Sequence, residues 1–217
     1  MNKYYLRAVA LSVLFILAGF FVINQIDVFR INEMQSRVQE LELQAESSRA
    51  LGLFSQTFSG NEEYCNAIDK SIGSQINRNL ELLKSLDQTK DSVFLGDISR
   101  VKQSYFLSNA QLFMYMKQAK KLCEKNDALI LYFYLDADPC PDCWVQGQIL
   151  DGLREKCSNV RTFALPVDSG LEIISLLKSL FGVDSAPSVI INEEKVFKGL
   201  ASEEELLTAF SCEKKTA

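Results

Sequence analysis

The sequence predicts an α/β fold: an α/β domain at the C-terminus, preceded by an N-terminal transmembrane helix and an all-α helical hairpin region. Three observations support this prediction: a long apolar run near the start, a proline-free stretch with helical spacing at 29–125, and short bulky apolar runs from residue 127 onward. Apolar residues every three or four positions indicate helices, whereas short continuous apolar runs indicate buried strands. We therefore divide the chain into residues 1–28, 29–126 and 127–217.

The first segment has the length and composition of a membrane anchor. Residues 8–23 contain only a serine and a glycine outside the hydrophobic set, and residues 4–26 would form a helix of roughly 34 Å, enough to cross a bilayer core of about 30 Å. A cleaved signal peptide is the alternative, because Lys3 and Arg7 precede the apolar run, but no small-x-small cleavage site follows. We predict an uncleaved signal anchor.

Charge and cysteine content predict the location of the remaining chain. Lys3 and Arg7 lie on the short side of the anchor, against Arg30 and Arg37 on the other, so the charge bias toward a cytoplasmic N-terminus is slight. Six cysteines suit an oxidising space better than a reducing cytosol. We expect a single-pass membrane protein whose bulk is extracytoplasmic.

The acidic surface argues against nucleic acid as a partner. Without Lys3 and Arg7, 21 basic and 28 acidic residues remain, which gives a formal charge of −7. Such a surface repels phosphate backbones, and the sequence has no basic stripe.

The proline-free region predicts three helices. The first would continue the anchor as a stalk, either as a short coiled coil in a homodimer or as a helix packed on its own chain; barely two heptads favour the second. A capping box at Ser59 and Glu62 predicts the start of the next helix, residues 87–90 a polar turn, and Gly96-Asp97 the entry to the third helix. The expected apolar faces are Ile31, Met34, Val38, Leu41 and Ala45; then Cys65, Ile68, Ile72, Ile76, Leu80 and Leu83; then Val101, Tyr105, Leu112, Tyr115, Ala119 and Leu122.

An antiparallel hairpin of the last two helices would bring Cys65 toward Cys123. The two cysteines lie at unequal distances from the turn, so a structural disulfide between them needs a favourable register, with Cα atoms within about 7 Å. Two buried free thiols are the alternative.

The pattern after residue 127 predicts strands alternating with helices. The run 128–135 is short, bulky and continuously apolar, as expected of a strand buried on both faces. The helix that follows would bury Val145, Ile149, Leu150 and Leu153. The predicted elements are strands at 128–135, 160–167, 188–191 and 195–197, and helices at 144–157, 171–181 and 202–210.

Cys140 and Cys143 form a Cys-Pro-Asp-Cys motif between the first of these strands and the first helix. Two thiols at a helix N-terminus can close a disulfide, and the helix end stabilises a thiolate that attacks other disulfides. A CxxC pair is also half of many zinc sites, but this chain has no histidine and no second CxxC, so we expect neither a metal nor a cofactor.

The order β-CxxC-α-β-α-Pro-β-β-α resembles the thioredoxin-like fold family over residues 127–213. The segment 181–191, which includes Pro187, is similar to the family's loop in which a cis-proline opens the third core strand. The resemblance implies that Cys140 is the exposed nucleophile, that Cys143 resolves the mixed disulfide, and that Pro187 lies against the pair. It also implies that protein thiols and disulfides are the partners.

The chain departs from the family at several positions. Tyr134 stands where many thioredoxins carry a buried acid, and Pro139 where many carry a tryptophan, so that proton transfer would fall to water or to Asp136. Asp142 stands between the cysteines where strong oxidants commonly carry a histidine. Acids near Cys140 should raise the pKa of its thiol, so we predict a weakly oxidising or reducing pair.

Cys157 ends the predicted helix at 144–157, and Cys212 comes just after the predicted helix at 202–210. The resemblance places these two helices on one face of the sheet. A second structural disulfide is feasible there, and two small buried residues are the alternative.

The function that the sequence favours is a membrane-tethered thiol-disulfide oxidoreductase. The alternative is a redox-inactive thioredoxin-like adaptor that docks partners through the helical hairpin. The sequence does not identify the redox partner that would recharge the pair.

Overall fold

The fold is described here from a computed structural model. It describes residues 62–89 and 95–215, together with positions 13–14, 16–17, 50 and 54. The chain divides into Met1–Ser59 and Gly60–Ala217, and the helices and strands below belong to the second unit.

Several sequence predictions lie outside the described residues. These are the stalk, the capping box at Ser59, and the anchor at residues 1–28, of which only positions 13–14 and 16–17 are described, as exposed helix. Within the described part of the chain, no helix combines the length and apolar character needed to cross a membrane.

Two long helices form an antiparallel hairpin. Helix α1 spans Glu62–Thr89 and helix α2 spans Leu95–Leu122. A disulfide from Cys65 to Cys123 joins their outer ends, and Asn79 bonds Asn109 midway along the pair. The buried apolar side chains are Tyr64, Ile68 and Ile72 of α1, and Phe106, Ala110, Leu112, Phe113, Met116 and Ala119 of α2.

The hairpin corrects several sequence predictions. Leu80 and Leu83 are 50% and 41% exposed, because the covered face of α1 turns toward Asn79 instead. The predicted polar turn at 87–90 is wrong, since α1 remains helical to Thr89. Helix α2 begins at Leu95, ahead of Gly96-Asp97, and it buries Phe106 and Phe113 more fully than the expected Val101, Tyr105, Tyr115 and Leu122.

The predicted mixed α/β architecture is confirmed by a four-stranded sheet with helices between its strands. The sheet order is β2-β1-β3-β4, with β1 parallel to β2 and the other two pairings antiparallel. The elements are β1 (Ala128–Tyr134), α3 (Pro141–Lys156), β2 (Val160–Pro166), α4 (Glu172–Leu180), β3 (Ser188–Ile191), β4 (Lys195–Lys198) and α5 (Glu203–Leu207).

The boundaries move by a few residues from the sequence predictions. Helix α3 begins at Pro141, because proline is well suited to the first helical position. Its buried face is Cys143, Gln146, Leu150 and Leu153, whereas Val145, predicted to be buried, is exposed.

Helices cover both faces of the sheet. Alternate residues of β1, including Ile130 and Tyr132, belong to one apolar cluster with Leu150 and Leu153 of α3 and Leu206 of α5. On the opposite face, α2 packs on β1 and β2 and also contacts α4. The Phe113 and Phe163 rings meet edge to face at 5.5 Å. The hairpin is therefore packed onto the sheet through α2.

Strand β2 is an edge strand whose outward-facing carbonyls are largely occupied. The Asn159 carbonyl accepts a hydrogen bond from β1, and the Val167 N–H donates one to β1. Backbone groups of successive strand residues point to opposite sides, so the carbonyls that face away from β1 are those of Val160, Thr162, Ala164 and Pro166. Side chains or backbone groups already bond three of these four. The donors are Arg161 to Val160 O at 3.0 Å, Asn109 to Ala164 O at 3.1 Å, and the Ser169 N–H to Pro166 O at 3.3 Å.

Candidate functional site

A disulfide joins Cys140 and Cys143 at the start of α3, just beyond the carboxyl end of β1. Their Cα atoms are 5.2 Å apart. Cys140 is the N-cap of α3, and its sulfur accepts a hydrogen bond from the Cys143 N–H at 3.2 Å. One N–H of the first helical turn therefore points at this sulfur, and such a donor stabilises a thiolate once the bond is opened.

The two sulfurs differ in accessibility. Cys143 is only 5% exposed, whereas Cys140 is half-buried, and the residues that flank Cys140, Pro139 and Pro141, are exposed. Exchange requires an incoming sulfur to approach along the line of the bond that breaks. Cys140 is therefore the sulfur that a partner can reach.

Pro187 lies at the same edge of the sheet as the motif. The Ala186–Pro187 peptide bond is cis. Phe133 pairs with Ser188, so the next step of the register sets Pro187 beside the end of β1. Ala186 packs in the same cluster as Cys140 and Cys143. The Pro187 carbonyl accepts the Gly199 N–H at 2.9 Å, which fixes the loop to the end of β4.

The loop between β1 and Cys140 is held from two directions. The Asp168 carboxylate accepts the N–H groups of Asp136 at 3.0 Å and Ala137 at 2.7 Å. From α2, the Lys102 ammonium group reaches the Asp136 carboxylate at 2.8 Å. Asp168 is an exposed residue, and the partial desolvation of its carboxyl opposes ionisation. The backbone N–H groups of the loop outweigh this desolvation and lower the pKa of the carboxyl. Asp168 is thus an ionised anchor for the loop.

The interior beneath the motif contains two tyrosines. Tyr132 and Tyr134 stack with ring centroids 5.4 Å apart, and the Tyr132 hydroxyl donates to the Cys143 carbonyl. Burial raises the pKa of Tyr132 to about 12 and also raises that of Tyr134. Both phenols therefore stay protonated at neutral pH, so neither is available to accept a proton from Cys143.

The aspartates near the motif lie at the surface. Asp136, Asp138 and Asp142 are exposed, and the charge of Asp136 is opposed by Lys102. Asp136 is therefore not a buried proton acceptor beneath Cys143.

The other four cysteines form two further disulfides. Cys65 and Cys123 have Cα atoms 5.8 Å apart and join the ends of the hairpin. Cys157 and Cys212 have Cα atoms 5.2 Å apart and join the end of α3 to the segment after α5. Among the residues that the structure describes, no group of three His, Cys, Asp or Glu side chains could hold a metal ion.

Four residues around the motif were missed by the sequence analysis: Lys102, Tyr132, Gln146 and Asp168. Gln146 is fully buried and accepts the Ala201 N–H at 2.8 Å, which ties α3 to the segment after β4. A glutamine among the apolar positions of α3 is a sequence signal for such a bond. Nothing local marks Lys102 or Asp168, because each meets the loop through a contact more than 30 residues away.

Comparison with known proteins gives similarity to solved structures. No family model matches the chain, and no curated protein matches it. Among solved structures, a crystal structure of chloroplastic thioredoxin z is similar at 14% sequence identity and a TM-score of 0.33, covering 43% of this chain and 83% of that one.

Proposed function

We propose that this protein is a membrane-tethered thioredoxin-like thiol-disulfide oxidoreductase that exchanges disulfides with protein substrates through Cys140 and Cys143. The observation that carries the proposal is the asymmetry of the pair. A reachable sulfur at a helix N-cap is bonded to a buried sulfur one turn further on. The cis Ala186–Pro187 bond at the same edge of the sheet supports it.

In the reducing direction, the Cys140 thiolate attacks one sulfur of a substrate disulfide. A bond forms between Cys140 and that sulfur, the substrate disulfide breaks, and the second substrate sulfur leaves as a thiolate. The Cys143 thiolate then attacks Cys140, closes the Cys140–Cys143 bond and releases the first substrate sulfur. Two electrons pass from the pair to the substrate, and the oxidising direction is the reverse.

The tether and the compartment are part of the proposal. The apolar run at 8–23 supports an anchor, and Lys3 and Arg7 before it, set against Arg30 and Arg37 after it, give a slight charge bias toward a cytoplasmic N-terminus. The two disulfides outside the motif, Cys65–Cys123 and Cys157–Cys212, support an extracytoplasmic location, because reducing compartments disfavour structural disulfides.

The experiment is mixed-disulfide trapping combined with an insulin reduction assay. Cys143→Ser should accumulate substrates bonded to Cys140, because the resolving thiol is gone. Cys140→Ser should trap none, and insulin reduction by it should fall at least ~100-fold, because the reachable nucleophile is removed.

The matched control is the double variant Cys65→Ser/Cys123→Ser, which removes the disulfide of the helical hairpin and leaves the motif intact. It should reduce insulin at close to the wild-type rate. Equal rates for wild type and Cys140→Ser, with nothing trapped by Cys143→Ser, would reject the oxidoreductase and favour a redox-inactive adaptor.

A further inference from the structure

We propose that Tyr132 is a positioning residue for the Cys140–Cys143 pair, and that its hydroxyl stabilises the reduced state by holding the Cys143 carbonyl. This inference rests on the proposed function, because it concerns how readily the same pair opens and closes. Tyr132 contacts the residue that contributes the inner sulfur, yet it belongs to the sheet and lies outside the motif.

Strand pairing and ring packing hold Tyr132 in place. Its backbone lies in β1, paired with Ala164 of β2 and Val189 of β3. Its ring stacks on Tyr134 and is only 6% exposed, so it has little freedom to rotate. The hydroxyl is therefore held where it meets the first turn of α3, and a change of redox state cannot easily move it away.

The hydroxyl acts as a donor and keeps its proton at neutral pH. Burial raises the pKa of Tyr132 to about 12. Its hydrogen, the positive end of the O–H dipole, points at the Cys143 carbonyl. This dipole offsets part of the negative charge of the carbonyl within the turn that carries both sulfurs.

The two redox states use this contact differently. In the oxidised state the covalent bond between Cys140 and Cys143 itself restrains the first turn of α3. After reduction that bond is gone, and the turn gains a negative charge when a thiolate forms. A donor that holds and polarises the turn should therefore stabilise the reduced state more than the oxidised state, and its loss should make the pair easier to oxidise.

The test measures the equilibrium of the cysteine pair with glutathione in the full-length protein. Mixtures of reduced and oxidised glutathione set the redox potential of the solution. Alkylation followed by mass spectrometry gives the fraction of protein in which Cys140 and Cys143 are reduced. For Tyr132→Phe we expect the equilibrium constant to shift toward the disulfide by roughly 3- to 10-fold, the range expected for one net hydrogen bond.

The matched control is Tyr134→Phe, which removes a hydroxyl from the same face of the same strand and leaves the Cys143 contact in place. Its equilibrium constant should stay within about 2-fold of wild type. A Tyr132→Phe value within that range, or an equal shift in both variants, would overturn the inference.

A measurement on wild-type protein keeps the proposal falsifiable if Tyr132→Phe does not fold. The Tyr132 hydroxyl proton should give a slowly exchanging NMR resonance whose chemical shift changes when the pair is reduced. A chemical shift that stays the same when the pair is reduced would overturn the inference. Because the glutathione equilibrium concerns the protein's own thiols, it separates this inference from the insulin assay that tests the proposed function.

Discussion

Asp168 connects the turn after β2 to the loop that leads into the redox motif. Its carboxylate accepts two backbone N–H groups of that loop, from Asp136 and Ala137. Backbone donors bonded to a carboxylate stabilise its charged form, which accounts for the lowered pKa of Asp168 despite its partial desolvation. The loop is therefore held by a carboxyl group that loses its charge at acidic pH.

We predict that Asp168→Asn lowers the melting temperature by roughly 1–4 °C at pH 7. The folded-state pKa of Asp168 lies below its ordinary value of 3.8. Its contribution to stability is therefore fully present above that value and is lost as the pH falls through the depressed folded-state pKa. Thermal unfolding between pH 2.5 and 7 should show wild type and variant converging at the acidic end.

The control for this measurement is Asp138→Asn, an exposed aspartate on the same loop. Its melting temperature should change with pH in the same way as that of wild type over the whole range. If the melting temperature of Asp168→Asn also follows that of wild type at every pH, the carboxylate does not anchor the loop by its charge.

At the scale of elements, the hairpin depends on a cross-link as well as on packing. The Cys65–Cys123 bond closes a loop with a sequence separation of 58. Closing such a loop restricts the unfolded chain, which is the main source of disulfide stabilisation in the chain-entropy account. The buried contacts of Tyr64 and Ile68 lie close to this bond in sequence.

We predict that Cys65→Ser/Cys123→Ser loses about 2–4 kcal/mol of unfolding free energy. Urea denaturation followed by circular dichroism measures this loss. The glutathione equilibrium of Cys140 and Cys143 in the same variant should be unchanged. A variant as stable as wild type would mean that packing of α1 on α2 alone holds the hairpin.

The sheet elements were predictable because their sequence signals are local. The run at 128–135 has no polar interruption, and Pro187 directly precedes the strand predicted at 188–191. The hairpin was less predictable, since three-four spacing does not say which neighbouring face is covered. That ambiguity explains the wrong burial assigned to Leu80 and Leu83.

The same distinction applies to the candidate site. Cys140 and Cys143 were found from their spacing along the chain, and Pro187 was found from the resemblance of its segment to a family loop. Lys102 and Asp168 act through contacts across the fold, which no local pattern encodes. Tyr132 was treated as part of an apolar run, because a buried tyrosine shows its hydroxyl's partner only when the chain is folded.

At the scale of the molecule, the three disulfides bear on the compartment in which the chain works. All six cysteines are paired, two in the motif and four in cross-links. The cross-links need an oxidising space to form, whereas the motif needs partners that open and reclose it. The extracytoplasmic location that we propose is consistent with both needs.

We predict that an impermeant maleimide labels Cys140 and Cys143 in intact cells, but only after treatment with an impermeant reductant. The reason is that the domain would face the reagents while its thiols are paired. Mass spectrometry of the alkylated peptides gives the sites. The control is an Asn2→Cys variant, which should be labelled only after lysis because its N-terminus would be cytoplasmic. The reverse pattern would reject the proposed orientation.

The occupied carbonyls of β2 also affect how copies of this chain meet. An unpaired strand edge is a template on which a second chain can add a strand, the first step of fibril growth. Here Arg161 and Asn109 already bond two of its outward carbonyls, and Pro166 presents no N–H for pairing. Strand addition by a second copy of this chain is therefore disfavoured at the β2 edge of the sheet.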